Sequence, residues 1–180
     1  MIVQPTALPG VQIIEPRVFR DNRGYFVETF HTARYKDSVG IEHAFVQDNQ
    51  SRSQRGVLRG MHTQKTHPQG KLVRVSRGAV FDVAADIDPD SPTYGKWVGV
   101  ELSEENQKQI WIPPGYAHGF AVLSDVVDFQ YKCTDFYHPE DEIGVRWDDA
   151  DLAIEWPLDD PIVSERDSNL PTLAQLNGKR

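Results

Sequence analysis

"KLVRVSRGAVFDVAADI" (residues 71–87) decides the fold, because two runs of apolar and β-branched residues lie on either side of a glycine. Short runs of this kind, bounded by turn-forming residues, are typical of β-strands and not of helices. The same character recurs in "VQIIEP", "GYFVETF", "AFVQDNQS", "VLRGMHT", "KWVGVEL", "KQIWIP", "HGFAVL" and "VVDFQYKCT". Closely spaced strands without alternating helices predict an all-β sandwich or jelly-roll barrel, whose one concave mouth would hold a ligand.

Helical character is confined to two short segments. These are "TARYKDSV" (residues 32–39) and the N-terminal part of "SEENQK" (residues 103–108). The tail after Pro157 consists of short pieces joined by proline and aspartate turns. With 180 residues and no repeat or linker, the chain is predicted to form a single domain over residues 1–180.

The charge and the cysteine content exclude several function classes. A formal net charge of -8, with no block of Lys and Arg, argues against nucleic acid or an anionic membrane as a partner. No apolar stretch approaches the roughly 20 residues that a membrane helix needs. The single cysteine, Cys133, cannot form an intramolecular disulfide, and the N-terminal stretch does not look like a signal peptide. We therefore expect a cytoplasmic protein without a nucleic-acid or membrane partner.

Strand alternation indicates which polar side chains share a face. Glu28 falls between two aromatic residues, Phe26 and Phe30, and Gln47 falls on the same face as Asn49. An equally simple interpretation of Glu28 is a charge at the barrel rim. Phe129, Tyr131 and Cys133 also share a face, and Tyr131 could simply be a core aromatic residue.

Arg59 and His62 fall on opposite faces by simple counting. Gly60 lies between them and could form a β-bulge that resets the alternation. The question that this stretch raises is what a histidine does in an otherwise apolar strand.

Two motifs resemble those of the cupin superfamily, which implies a double-stranded β-helix, or jelly-roll barrel. They are "GMHTQ" with the following "GKLVRVSRG", and "IPPGYAHGF". In metal-binding cupins such motifs supply three histidines and a glutamate, and His62 and His118 match the first and the last ligand. Gln64 and Lys71 stand at the two remaining positions, and an ammonium group repels a divalent cation while glutamine is a poor substitute for imidazole. The resemblance thus implies a site without a metal ion or another cofactor.

Longer collinear segments from about residue 2 to about residue 174 resemble the dTDP-4-dehydrorhamnose 3,5-epimerase family. They include "DNRGYFVETF", "FVQDNQS", "GVLRGMH", "QGKLVRV", "SPTYGKWVGVEL", "IWIPPGYAHGF", "YKCTDFY", "IEWPL" and "SERD". The resemblance implies inversion of C3 and C5 in a dTDP-4-keto-6-deoxyhexose. Both carbons adjoin the C4 ketone, so each inversion passes through an enolate.

The resemblance implies four catalytic roles. His62 would be the general base, since imidazole exchanges protons near neutral pH. Asp167 in "SERD" would orient it, as a carboxylate orients histidine in other enzymes. Lys71 would stabilise the enolate oxygen, and Tyr131 would return a proton from the opposite face.

The resemblance also implies a set of ligand contacts and an assembly. Arg23 and Arg59 would hold the diphosphate, because the guanidinium fork matches phosphate oxygens. His118 would be a pocket donor, although a core histidine is an equally simple interpretation. The other implied substrate-binding residues are Phe26, Glu28, Gln47, Asn49, Lys71, Tyr137, Glu142 and Arg166. The family further implies a homodimer with exchanged N-terminal strands.

Two alternatives remain open at this stage. The first is a relative that inverts one carbon or isomerises the keto group, against which Tyr131 argues. The second is a different class, either a metal-dependent cupin enzyme or a sugar-binding cupin without catalysis. Bound metal would indicate the former, and ligand binding without proton exchange would indicate the latter.

Overall fold

A computed structural model describes residues 1–178, and the last two residues of the predicted single domain lie outside this range. The chain is mostly β-structure with a few short helices, as predicted. The strands are β1 (Ile2–Pro5), β2 (Gln12–Glu15), β3 (Val18–Asp21), β4 (Gly24–Val27), β5 (Gln47–Gln54), β6 (Val57–Gln64), β7 (Lys71–Arg77), β8 (Ala79–Ala85), β9 (Trp97–Ser103), β10 (Gln109–Ile112), β11 (Ala117–Val122), β12 (Val126–Cys133), β13 (Glu142–Gly144) and β14 (Ile162–Val163). The helices are α1 (Thr32–Val39), α2 (Glu165–Ser168) and α3 (Leu173–Asn177), with one 3-10 turn at Pro139–Asp141.

Two sheets face each other and enclose the main core. One has the order β1-β2-β10-β7-β12-β5, and the other has the order β13-β6-β11-β8-β9 with β14 joined to β6. Alternate residues such as Val73 and Val75 of β7 point inward and meet Val80, Leu102 and Phe129. Because β6 and β7 lie in different sheets although they are adjacent in sequence, the chain crosses between layers, and the jelly-roll prediction is confirmed.

Helix α1 covers the outer face of the sheet that contains β7 and β10. Tyr35 and Val39 of this helix pack in a buried cluster with Leu72 and Trp111. The helix is capped at its start by the side chain of His31 and ends before Gly40, whose φ of 79° suits a left-handed cap. The prediction of helical character at residues 32–39 is confirmed. No helix within residues 1–178 is long and apolar enough to cross a membrane.

The prediction of a helical turn in the N-terminal part of "SEENQK" is confirmed as one isolated turn, because the N–H of Gln107 donates to the carbonyl of Ser103 at 2.9 Å and no helix continues from it. The side chain of Asn106 accepts from the N–H groups of Ser103 and Lys108 and donates to the carbonyl of Glu101. A side-chain amide that bonds the nearby backbone favours a turn over a helix. The sequence did not predict β1, β3, β13 and β14, which are two to four residues long and lie at sheet edges or in a separate hairpin.

Candidate active site

A cavity of about 500 Å³ opens between the two sheets. It lies where the start of β7 meets the end of β12, since Lys71 pairs with Cys133, and where His62 of β6 faces His118 of β11. The structure thus brings together side chains that are far apart in sequence. The predicted residues that line it are Arg59, His62, Lys71, His118, Tyr131, Arg166 and Asp167.

A β-bulge at Gly60 turns Arg59 and His62 toward the same cavity. His118 pairs with His62 but Phe120 pairs with Arg59, so β6 has one more residue than β11 at this point. The bulge that the sequence suggested is therefore confirmed. Gly60 has a φ of 119°, and a Cβ at this position would lie 2.6 Å from Cα of Gly119. Only glycine fits here without moving the backbone.

His62 is held by a buried carboxylate. Its Nε2 lies 2.7 Å from Oδ1 of Asp167, whose other oxygen accepts from the backbone N–H of Gly60 at 3.2 Å. Burial opposes ionisation of Asp167, but its hydrogen bonds and the electrostatic attraction of His62 outweigh it, so that the pKa of Asp167 lies below its usual value. Asp167 is therefore ionised at neutral pH and can orient the imidazole.

The C-terminal tail brings Asp167 to this position. β14 pairs in parallel with the start of β6, and α2 begins directly afterwards with Ser164 as its cap. The Ser164 hydroxyl accepts from the Asp167 N–H at 3.0 Å. Cap and strand together fix the carboxylate next to His62.

Lys71 and Tyr131 are half-buried polar groups on the sheet that faces His62. Burial lowers the pKa of Lys71, and nearby Cys133, Glu142 and Asp82 oppose that change. Burial raises the pKa of Tyr131, and it raises the pKa of Cys133 to about 11, so the phenol and the thiol are neutral at pH 7. Within residues 1–178, Lys71 has no carboxylate at ion-pair distance, which leaves its ammonium group available to the cavity.

His118 is bound to an aspartate that the sequence analysis missed. Its Nε2 lies 3.0 Å and 3.2 Å from the two carboxylate oxygens of Asp82, which is fully buried. Asp82 lies on the same face of β8 as Val80 and Ala84, which point into the core. A carboxylate on the apolar face of a strand was the signal that could have revealed it, since such groups need a partner.

Glu142, Arg166 and Tyr137 form a connected rim beside His62. Arg166 donates a hydrogen bond to Glu142, and the same carboxylate lies 3.9 Å from Nε2 of His62. The Tyr137 hydroxyl interacts with Arg166, and this contact is the main cause that raises the pKa of Arg166. The predicted contact of Arg166 with a ligand is compatible with its place in the cavity wall.

Gln47 and Asn49 lie beside the cavity instead of in its lining. Asn49 is nevertheless the neighbour of the cavity residue Tyr131, with which it pairs between β5 and β12. Its amide contacts Sγ of Cys133 at 3.6 Å and accepts from the Gln47 side chain at 3.1 Å. The Gln47 carbonyl oxygen accepts from the backbone N–H of Tyr137 at 3.0 Å. Both residues thus shape the rim through their neighbours.

Three further predicted ligand residues lie away from the cavity of their own chain. Arg23 and Phe26 belong to the exposed β3–β4 hairpin, where Arg23 donates to Asp21 at 3.1 Å and Phe26 is 69% exposed. Glu28 follows the hairpin and accepts from Arg34 at 2.8 Å. These residues line separate surface clefts. The structure of a single chain therefore does not bring them to His62.

Gln64 and Lys71, the two residues that the cupin resemblance places at metal-ligand positions, are both poor metal ligands here. The Gln64 amide is fully engaged with backbone groups, and Lys71 is a cation. Within residues 1–178, no three His, Cys, Asp or Glu side chains are arranged to hold a metal ion. Fold and site together define a cupin-type barrel with a histidine-carboxylate pair and a lysine in its cavity.

Comparison with known proteins agrees with this class. The family model described as dTDP-4-dehydrorhamnose 3,5-epimerase matches residues 5–175. A protein of that name from Methanothermobacter thermautotrophicus is 55% identical over 94% of this chain and 93% of the relative, and one from Escherichia coli K12 is 51% identical over 98% and 96%. The crystal structure of a dTDP-6-deoxy-D-glucose-3,5-epimerase from Legionella pneumophila with dTDP-4-keto-L-rhamnose has a TM-score of 0.95 at 51% identity, and covers 99% of this chain and 95% of that one. The chain belongs to the dTDP-4-dehydrorhamnose 3,5-epimerase family.

Proposed function

We propose that this chain is an isomerase that converts dTDP-4-keto-6-deoxy-D-glucose to dTDP-4-keto-L-rhamnose by inverting C3 and C5, without a metal ion or another cofactor. The observation that carries the proposal is the His62–Asp167 hydrogen bond in a cavity that also holds Lys71 and Tyr131. A base, an oxyanion partner and an acid are the groups that inversion next to a ketone requires. The names of the relatives and the ligand of the Legionella structure support the same reaction.

His62 removes the proton in each inversion. Because Asp167 accepts from Nε2, the lone pair of the neutral ring lies on Nδ1, which is the atom that takes the proton from C3 or C5. The electron pair of the broken C–H bond moves to the C4 oxygen and forms an enolate. The ammonium group of Lys71 stabilises this oxygen.

Tyr131 returns a proton to the opposite face of the same carbon. Its raised pKa keeps the phenol protonated, so it can donate to carbon as the electron pair returns from the enolate. Tyr131 then regains a proton from solvent and His62 loses one, which restores both groups for the second inversion. His118, fixed by Asp82, serves as a polar contact to the sugar.

The nucleotide end of the substrate binds at the rim. Arg59 is held by Ser53, whose hydroxyl accepts from its Nε at 3.1 Å, and is placed to meet the diphosphate. Tyr137 stacks on the base, and Asn49, Gln47, Glu142 and Arg166 complete this part of the site. Tyr137 is 45% exposed, as a stacking surface requires.

Arg23, Phe26 and Glu28 reach the site of a second chain in a homodimer with exchanged N-terminal segments. The hairpin that carries the first two projects exposed aromatic side chains, with Phe19 49% and Phe26 69% exposed. Exposed aromatic clusters of this kind are typical of interfaces. We place this dimer in the cytoplasm, where the single buried thiol of Cys133 stays reduced.

The stereochemistry of the product tests the proposed reaction. The protein is incubated with dTDP-4-keto-6-deoxy-D-glucose, the ketone is reduced with borohydride, and the released hexoses are identified. Inversion at both carbons gives L-rhamnose and 6-deoxy-L-talose. Recovery of only the sugars that come from unchanged substrate, 6-deoxy-D-glucose and D-fucose, would contradict the proposal.

A further inference from the structure

The side-chain amide of Gln64 forms hydrogen bonds to two loops, the one that follows β6 and the one that follows β12. Its Nε2 donates to the carbonyls of His67 at 2.6 Å and Phe136 at 3.1 Å, and its Oε1 accepts from the N–H of His138 at 2.8 Å. The residue is 5% exposed. Because a primary amide has two N–H donors, both are consumed by backbone carbonyls. Gln64 therefore has no donor left for a ligand, and its bonds act on the loops.

The segment that Gln64 holds is the one that carries Tyr137. Phe136 and His138, on either side of Tyr137, are both bonded to Gln64, while the N–H of Tyr137 is bonded to Gln47 from another strand. Three consecutive residues are thus fixed by two glutamines. The backbone of Tyr137 has little freedom as long as both glutamines are present.

Further contacts couple the two loops that Gln64 joins. The imidazole rings of His67 and His138 are stacked with centroids 4.5 Å apart. The carboxylate of Asp141 accepts from the N–H groups of Thr66 and His67 at 2.8–3.0 Å. The loops are therefore one packed unit, in which Gln64 is the buried member.

The Tyr137 side chain lies near Arg166 of the cavity wall, since it is the main cause that raises the pKa of Arg166. Arg166 in turn donates to Glu142, the partner of Gln64 across the β6–β13 pair. The glutamines thus fix the backbone of Tyr137 next to a residue of the cavity wall. A ring held in this way is pre-organised, which lowers the entropy that stacking of a ligand would cost.

We propose that Gln64 is a positioning residue that fixes Tyr137 as the stacking wall for the nucleotide of the substrate. The inference rests on the proposed function, since it takes a dTDP-sugar as the ligand. It concerns binding of the nucleotide and leaves proton transfer at His62 unchanged.

The test compares Gln64→Leu with the wild-type protein in two measurements. Calorimetry with dTDP, which lacks the sugar, measures binding at the nucleotide end, and steady-state kinetics with the keto sugar measures KM and kcat. We expect the Kd for dTDP and the KM to rise about tenfold, the effect of one or two lost hydrogen bonds, with kcat within about threefold of wild type. A general loss of structure would lower kcat without raising the Kd of the folded fraction.

A double-mutant cycle shows whether Gln64 acts through Tyr137. In a Tyr137→Ala background, Gln64→Leu should change the Kd for dTDP by less than about twofold, because coupled residues are non-additive. Gln47→Ala provides a second route, since it removes the bond to the Tyr137 N–H from a half-buried side chain, and its effect on the Kd should likewise disappear in the Tyr137→Ala background. It keeps the inference testable if Gln64→Leu does not fold.

Asn106→Leu is the matched control. Asn106 also makes three amide hydrogen bonds to the backbone, in the loop after β9 and away from the start of β7. It should lower thermal stability without changing the Kd for dTDP. An unchanged Kd in Gln64→Leu, or full additivity with Tyr137→Ala, would overturn the inference. Absence of dTDP binding by the wild-type protein would instead overturn the proposed function.

Discussion

Asp167 and His62 form a hydrogen bond of 2.7 Å although 105 residues separate them in sequence. The bond depends on the last part of the chain, because β14 and α2 must return to β6 before the carboxylate can reach the ring. The same carboxylate also accepts from the N–H of Gly60 in the bulge that turns His62 into the cavity. One buried group therefore holds both the base and the backbone that presents it.

Asp167→Asn should reduce kcat strongly while the fold is retained. An amide in place of the carboxylate favours the wrong histidine tautomer and no longer stabilises the imidazolium, an effect of about 10,000-fold in a comparable pair of another enzyme. We expect a loss of at least 100-fold in the rate of product formation with little change in KM. Glu165→Gln, an exposed carboxylate of the same short helix, is the control and should stay close to wild type. Equal rates for the two variants would remove Asp167 from the mechanism.

Lys71→Met should make the protein more stable and nearly inactive. Removal of one preorganised oxyanion partner costs on the order of 3 kcal/mol in the barrier, or about 100- to 1,000-fold in kcat. Burial lowers the pKa of Lys71, so the ammonium form is less stable in the folded chain than in the unfolded chain. Its removal should raise Tm by about 2–4 °C, the shift that 1 kcal/mol gives in a chain of this size. Wild-type kcat in Lys71→Met would contradict this role.

The sign of the pH effect follows from the same pKa. The pKa of Lys71 in the folded state lies below that of a free lysine, so the unfolded chain binds the lysine proton more tightly. As pH rises toward 10.5 the lysine loses this proton in both states, and its unfavourable contribution to stability disappears. The Tm difference between Lys71→Met and wild type should therefore shrink on the alkaline side. In kinetics, kcat of the wild type should fall at a lower pH than the titration of an exposed lysine.

Gly60→Ala should destabilise the fold more than an alanine at another left-handed glycine. A Cβ on Gly60 would lie 2.6 Å from Cα of Gly119 and 2.8 Å from the carbonyl oxygen of His118, both backbone atoms. Gly95, with a φ of 73° and open space around it, isolates the conformational penalty of about 1 kcal/mol. Chemical denaturation should show a loss of about 2 kcal/mol or more beyond that of Gly95→Ala. Equal losses in the free energy of unfolding for Gly60→Ala and Gly95→Ala would show that the backbone of the bulge can move to accommodate a Cβ.

Mixed dimers test the exchange of N-terminal segments. We expect His62→Ala and Arg23→Ala to have little or no activity when each is tested alone. To form mixed dimers, equal amounts of the two variants are unfolded together and then refolded. If Arg23 serves the site of the partner, each mixed dimer contains one site with both native residues, and activity should return to about a quarter of the wild-type level, because half of the dimers are mixed and each has one intact site. If Arg23 serves its own chain, no intact site forms. No gain in activity over the separate proteins would contradict the exchange.

The sequence predicted the fold and most of the cavity because both depend on local patterns. Apolar runs broken by glycine define strands such as β7 and β8, and Gly60 marked the bulge that joins Arg59 and His62. Lys71 and Gln64 stood out because they replace residues of a known motif. These features could be recognised without distances.

The rest depended on tertiary contacts that no local pattern shows. Asp82 looked like a break in an apolar strand and proved to be the partner of His118. Gln47 was predicted as a ligand contact, and that its side-chain oxygen also accepts from the N–H of Tyr137 becomes visible only where β5 meets the loop after β12. Arg23, Phe26 and Glu28 lie away from the cavity of their own chain, and a role for them requires a second chain.

The most direct measurement is proton NMR of dTDP-4-keto-6-deoxy-D-glucose incubated with the protein in deuterated water. The account predicts that the signals of both the C3 and the C5 protons disappear, since His62 removes each proton and solvent deuterium replaces it. His62→Ala should leave both signals, while Tyr131→Phe should retain exchange by His62 but lose net inversion. Loss of a single signal with the wild-type protein would contradict double inversion, and retention of both with the ligand bound would contradict catalysis.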